Sequence, residues 1–244
     1  MSTAASQVIW HDTECGGYAA DLEAWDRLAS GSRGPILELG CGTGRVALHL
    51  ARRGHDVWAI DADADLLAAT RERATAEGLS VRTEQADVRE LDLGREFSLA
   101  VAAMQFIQMI GAEADRADAL RRVAAHLEPG GRLAAAILDG MPEDLTGAPA
   151  PLPDIREVNG RVYSSLPADV IADGPRLELR RLRQEVGADG TMAESEHAES
   201  LWLLDPEVLE REGQPAGLEP RDRIPVPAMN GYIGSVIVVM ERAE

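Results

Sequence analysis

The run Ile36-Leu37-Glu38-Leu39-Gly40-Cys41-Gly42-Thr43-Gly44 places a buried strand directly before a glycine loop that opens a helix. That order leaves few folds open. Gly34-Pro35 punctuates the start, largely apolar residues follow, and Arg45-Val46-Ala47-Leu48-His49-Leu50-Ala51 turns helical, with Gly54 as its stop. Glycines at 40, 42 and 44 let the backbone turn tightly and approach a ligand that a Cβ would push away. Amide N–H groups at the N-terminus of the new helix are then free to face polar ligand groups.

Glycine loops after strands serve several cofactors, and Gly42-x-Gly44-x-x-Ala47 formally matches a dinucleotide fingerprint. The neighbouring strands discriminate. Val57-Trp58-Ala59-Ile60 ends in Asp61, 21 positions after Gly40, where a carboxylate can accept from ribose hydroxyls. A third strand around Val81 ends at Ala86-Asp87-Val88 and supplies a second acid one strand further out. These parts point to an adenosine-bearing cofactor. Over Pro35 to Leu138 the chain resembles the class I S-adenosylmethionine-dependent methyltransferases, in which an acid-x-Gly-x-Gly-x-Gly loop is followed by acids ending the second and third strands. The resemblance implies that Glu38 and Gly40 serve the methionine end of S-adenosylmethionine, Asp61 the ribose, and Asp87 with Val88 the adenine edge. Tyr18, Cys41, Gly42, Gly44, Ala62 and Met104 complete the cofactor set that it implies.

The 244 residues suit one large core or a core with a small appended lobe, and 45% apolar with 27% charged residues is ordinary for a globular chain. A net charge of −18 opposes a phosphate backbone, so a nucleic-acid substrate is not expected. All 24 basic residues are Arg, read as a coding bias such as that of a high-GC bacterium. Cys15 and Cys41 are too few for a disulfide framework, and no His/Cys/carboxylate group has metal spacing. No apolar run approaches the ~18 residues of a membrane helix and no signal peptide opens the chain, so a cytoplasmic protein is expected.

From Pro35 to Leu138 strands and helices alternate, with helices over 44–53, 63–77 and 114–127 and strands over 56–60, 80–84, 97–103 and 132–138. This predicts an α/β fold: a Rossmann-like, mostly parallel sheet with helices on both faces. The family pattern closes with a helix, starting here at Asp205-Pro206-Glu207, and strands over Arg221–Val226 and Tyr232–Met240, giving seven strands with the last antiparallel. Between them, Val158–Val170, Leu177–Val186 and Met192–Leu204 read as antiparallel strands. The expected organisation is therefore an N-terminal helical lid or brace (1–33), a cofactor domain (34–140 and 205–244), and an inserted β segment (141–204) that roofs the acceptor site or pairs with a second copy. Leu22, Trp25 and Leu28 predict one N-terminal helix over 18–30, hinged at Cys15-Gly16-Gly17.

Met104-Gln105-Phe106 follows the fourth strand, where the reactive methyl group should point. Relatives that methylate nucleic-acid amines carry an Asn-Pro-Pro-Tyr motif there, which this chain lacks. Gln105 can hydrogen-bond a substrate, or it and its apolar neighbours simply form a wall. Of the five histidines, His11 and His197 sit in segments able to close over the pocket and are the candidate bases; inert surface histidines are the bland alternative. Asn230 and Tyr232 are candidate substrate contacts. The expected activity is methyl transfer to a small molecule by in-line displacement, without a metal. Two rivals stand: a non-catalytic cofactor-binding module, and an NAD(P)-dependent oxidoreductase. For the latter, the absence of Lys excludes a Tyr-x-x-x-Lys mechanism.

Overall fold

The computed structural model describes residues 3–138, 152–229 and 232–243. Two helices, α1 (Thr3–Cys15) and α2 (Leu22–Ser30), precede the first strand, β1 (Ile36–Leu39). The alternating region then runs α3 (Arg45–Arg52), β2 (Val57–Asp61), α4 (Ala64–Ala76), β3 (Val81–Gln85), β4 (Phe97–Ala102), α5 (Phe106–Met109), α6 (Glu113–Ala125) and β5 (Leu127–Ile137). Four strands follow: β6 (Asp154–Val158), β7 (Arg161–Asp173), β8 (Arg176–Val186) and β9 (Met192–Trp202). Helix α7 (Pro206–Gly213) and strands β10 (Leu218–Val226) and β11 (Ser235–Arg242) complete the chain.

The main sheet has seven strands in the order β10-β11-β5-β4-β1-β2-β3. Strands β1 to β5 run parallel, while β11 is antiparallel to both β5 and β10. This is the expected α/β architecture. Its origin is the two-residue alternation of a strand between two covered faces. Leu37, Leu39, Ala100 and Ala102 pack with Leu120, Val123 and Leu209 of α6 and α7 on one face. Ile36, Leu99 and Val101 pack with Trp25, Leu28, Val46 and Leu50 of α2 and α3 on the other. Strand order reverses at β1, whose neighbours are β4 and β2, and the crevice beyond the carboxyl ends of β1 and β4 is where such sheets bind ligands.

The insert forms a separate antiparallel sheet, β6-β7-β8-β9. It has one strand more than the three apolar runs predict. Asn159 and Gly160 stand at φ 52° and 75° between β6 and β7, the conformation of a two-residue hairpin turn, so the stretch from Val158 to Val170 is a turn and a strand rather than one strand. The helix expected over 18–30 is α2, starting at Leu22 so that Tyr18 lies in the link before it, and a second helix not expected from the sequence, α1, precedes the hinge. Trp10 of α1 packs edge-on against Tyr163 of β7, ring centroids 5.2 Å apart, so α1 bridges the two sheets.

The face carrying α6 and α7 is locked by an ion pair. Arg116 donates from Nε and Nη2 to Glu212 at 2.8 and 2.7 Å, and both side chains are almost fully buried. Removing one partner of such a pair strands the other charge out of water. Glu212→Ala is therefore expected to lower stability by about 3–5 kcal/mol in urea denaturation, whereas Glu207→Ala, at an exposed pair with Arg223, should leave the midpoint unchanged.

Candidate active site

The loop after β1 owes its shape to three left-handed glycines, Gly40, Gly42 and Gly44, at φ 63°, 54° and 87°. A Cβ on Gly40 would overlap the ring of Phe106, and one on Gly42 would overlap the imidazole of His11. Gly44 caps α3 and leaves no room beside Thr70, whose hydroxyl donates to Gly42 O at 2.9 Å. The loop is thus a cradle into which side chains from α1 and α5 already reach.

Acids stand where the sequence places them. Asp61 ends β2 and accepts from Gly42 N–H at 2.7 Å and from Asp63 N–H at 2.9 Å. Glu38 is 2% exposed and its Oε2 has no hydrogen-bond partner among the described residues. Burial pushes its carboxyl up to about 8, against the opposing pull of the Arg45 guanidinium and the Ala47 amide. A buried orphan acceptor beside a glycine cradle fits a ligand that brings a cation, as the ammonium of S-adenosylmethionine does. Asp87 caps the turn at 88–90 through Arg89 N–H and is gripped by the Arg89 side chain, which holds its carboxyl below the usual range. Val88 beside it is buried in the core. Ala62 O accepts from Gln85 at 3.0 Å. Cys41 turns its thiol into the core, where burial pushes its pKa up.

Across the crevice, Met104 and Gln105 both adopt positive φ, 47° and 60°. Two consecutive non-glycine residues in that region store backbone strain, which neighbours must hold in place. Gln108, fully buried, does so by exchanging hydrogen bonds with Leu138 at the end of β5, accepting its N–H at 2.7 Å and donating to its O at 3.1 Å. The turn aims Phe106 over Gly40.

The remaining candidates separate. His11 lies on the glycine loop, its Nδ1 3.2 Å from the Thr43 hydroxyl, and burial lowers its pKa. Tyr18 and Tyr232 form a pair, ring centroids 5.0 Å apart, beneath the hinge; Tyr232 donates to Glu14 O at 3.2 Å. Burial and the Asp154 carboxylate push the Tyr232 hydroxyl up to about 12. His197 sits on β9 with its Nε2 3.6 Å from Glu199, whose charge also reaches His11. Asn230 lies outside the described residues. The sequence reading missed Asp12, Thr43, Arg73, Glu14 and Arg183. Glu14 stands one helical turn after Trp10, which was the available signal for α1; nothing local marks the others. No group of three or more His, Cys, Asp or Glu with metal-holding geometry occurs among the described residues.

A glycine cradle at the reversal of a seven-stranded sheet, with an antiparallel strand set between β5 and β10, defines a Rossmann-like cofactor domain. Residues 36–131 match the family model described as a methyltransferase domain, the segment in which the chain resembles the class I S-adenosylmethionine-dependent methyltransferases. Over 113 residues it is 35% identical to a dTDP-3-amino-3,6-dideoxy-alpha-D-glucopyranose N,N-dimethyltransferase of Streptomyces fradiae, covering 46% of this chain and 43% of that one. Over 104 residues it is 32% identical to a ubiquinone biosynthesis O-methyltransferase of Nitrobacter winogradskyi, covering 43% and 38%. The matched segments thus span less than half the length of these curated relatives. Among solved structures, the sugar N-methyltransferase KedS8 from a Streptoalloteichus species superimposes with a TM-score of 0.77 at 23% identity, over 98% of this chain and 93% of that one. DesVI of Streptomyces venezuelae does so with 0.75 at 20% identity over the full length of both.

The raised Glu38 carboxyl links stability to pH. An unfolded Glu ionises near its ordinary 4.5, while the folded one holds its proton to about 8, so the folded state binds more protons between these values. Stability of the ligand-free protein is expected to fall as pH rises from about 5 to about 8, by on the order of a few kcal/mol, and then level off. Glu38→Gln should flatten that fall, as measured by denaturation across the pH range.

Proposed function

We propose that the protein transfers the methyl group of S-adenosylmethionine to an amino group of a small molecule, of the amino-sugar class for which the Streptomyces fradiae relative is named. One observation carries this reading. Residues 36–131, which match the methyltransferase domain, are the ones that build the glycine cradle, the orphaned Glu38 and the Asp61 and Asp87 strand ends. The amino acceptor is supported by the names of the Streptomyces fradiae relative and of KedS8. Their bacterial sources support a bacterial protein; no described helix is long and apolar enough to cross a membrane.

Bound cofactor supplies an already activated methyl group on a sulfonium, so the protein's contribution is mainly orientation and exclusion of water. Glu38 takes the ammonium, Asp61 a ribose hydroxyl and Asp87 the adenine edge. Met104 and Phe106 wall the reacting end, with Gln105 beside the acceptor. The insert roofs the acceptor site through the polar face of β8 and β9, where His197, held beside Glu199, takes the proton from an acceptor arriving as an ammonium.

Calorimetry with S-adenosylmethionine and NAD tests the cofactor, and turnover with dTDP-linked amino sugars tests the acceptor. Binding of the sulfonium and not of NAD is expected; binding without turnover on any amine would favour a non-catalytic module. Asp61→Ala should weaken S-adenosylmethionine binding by roughly 1.5–3 kcal/mol, since a charged acceptor is lost in a partly desolvated cleft. Unchanged affinity in a folded variant would remove the ribose assignment.

A further inference from the structure

His11 is held in one orientation by a chain of hydrogen bonds that begins outside the site. Arg73 of α4 donates from Nη1 to Asp12 Oδ1 at 2.9 Å and from Nη2 to the other oxygen, and the pairing keeps the Asp12 carboxyl below its usual range. The ionised Asp12 accepts the Thr43 hydroxyl proton at 2.8 Å. With its proton committed, the Thr43 oxygen is left to accept from His11 Nδ1 at 3.2 Å. The ring therefore carries its proton on Nδ1 and turns a bare Nε2 lone pair toward Gly42, against which it packs. Burial favours the neutral ring. No hydrogen bond of the described residues uses Nε2.

Asp61 is the neighbouring acceptor. Its carboxylate holds the amide of the same Gly42 at 2.7 Å, and its charge acts on the His11 ring. A neutral lone pair and a carboxylate facing one glycine call for a ligand that brings two uncharged donors close together. A ribose diol is that group; an ammonium has its own acceptor in Glu38.

We propose that His11 is a cofactor-binding residue whose Nε2 accepts a hydrogen bond from one ribose hydroxyl, with Asp61 accepting from the other. This rests on the methyltransferase reading above. It takes His11 out of the role of base toward the acceptor and makes α1 part of the cofactor site. Docking of α1 and occupancy of the cradle are then coupled, because the same residue belongs to both.

The test is calorimetry of the full chain with S-adenosylhomocysteine and its 2′-deoxy and 3′-deoxy analogues, on the wild type, His11→Ala and His11→Gln. His11→Ala is expected to weaken S-adenosylhomocysteine about five- to tenfold, the worth of a neutral hydrogen bond, and His11→Gln to recover part of the loss through its carbonyl oxygen. One of the two deoxy analogues should lose affinity for the wild type yet bind His11→Ala about as well as the parent compound. Should His11→Ala not fold, His11→Phe keeps a ring over Gly42 without the acceptor and serves the same comparison. Equal or tighter binding to the variant would overturn the proposal, since the ring would then only obstruct the cradle. So would identical losses for both analogues in wild type and variant, which is what a purely structural role produces. A wild type that binds S-adenosylhomocysteine and gives either result overturns the His11 assignment alone; a wild type that binds none overturns the function as well.

Discussion

The site is organised around two missing methyl groups. At Gly40 and Gly42 the backbone turns through positive φ, and at each the space of a Cβ is taken by an aromatic ring from another element, Phe106 of α5 and His11 of α1. Three segments distant in sequence thereby meet within van der Waals reach of one loop. The cost is placed on the β4 side, where Met104 and Gln105 both stand in a sparsely populated region, worth about 1–3 kcal/mol of strain each. Buried Ile107 and the two-way clamp of Gln108 on Leu138 hold that turn, so the strain is spread into the core and does not relax by letting Phe106 swing free.

Charge does what shape leaves undone at the N-terminal segment. Three of its acids are buried, and each is gripped by an arginine from a different element: Asp12 by Arg73 of α4, Glu14 by Arg183 of β8, Asp21 by Arg45 of α3. Each pair is bidentate, a geometry the planar guanidinium makes rigid and an ammonium does not. In a chain with no Lys and a net charge of −18, these pairs dock α1 against the glycine loop and the inserted sheet together. Ser165 and Arg183 share Glu14, while Thr43 and Arg73 share Asp12, so neither acid is left with a single partner.

What the sequence made legible follows from locality. The strand, loop and helix at 36–52 were readable because each element is set by adjacent residues: an apolar run, three glycines, an amphipathic turn. Asp61 and Asp87 were readable as strand ends for the same reason. The β6–β7 hairpin was equally local, in Val158-Asn159-Gly160-Arg161, and was passed over because the apolar pattern continues across it. The roles of Asp12, Arg73 and Phe106 were not legible. Each depends on a contact with sequence separation set by the fold, 61 residues for Asp12 with Arg73, and an acid in an exposed-looking helix gives no sign of which arginine will bury it. Tyr18 has contacts of the same long-range kind. Its ring packs against Tyr232 and beneath the Arg45 guanidinium, 5.1 Å from the ring centroid, partners that no local pattern announces.

The methyltransferase-domain match covers residues 36–131 and leaves α1, the inserted sheet and the C-terminal strands outside it. Relatives named for amino-sugar N-methylation and for ubiquinone O-methylation align with this chain over 113 and 104 residues. α1, the inserted sheet and the segment before the last strand converge where Tyr232 meets Glu14 and Asp154. That junction is built from acids, arginines and a phenol rather than from an apolar pocket. A site of hydrogen-bonding groups rejects an acceptor that fails to pair them far more strongly than a greasy slot rejects one of the wrong size.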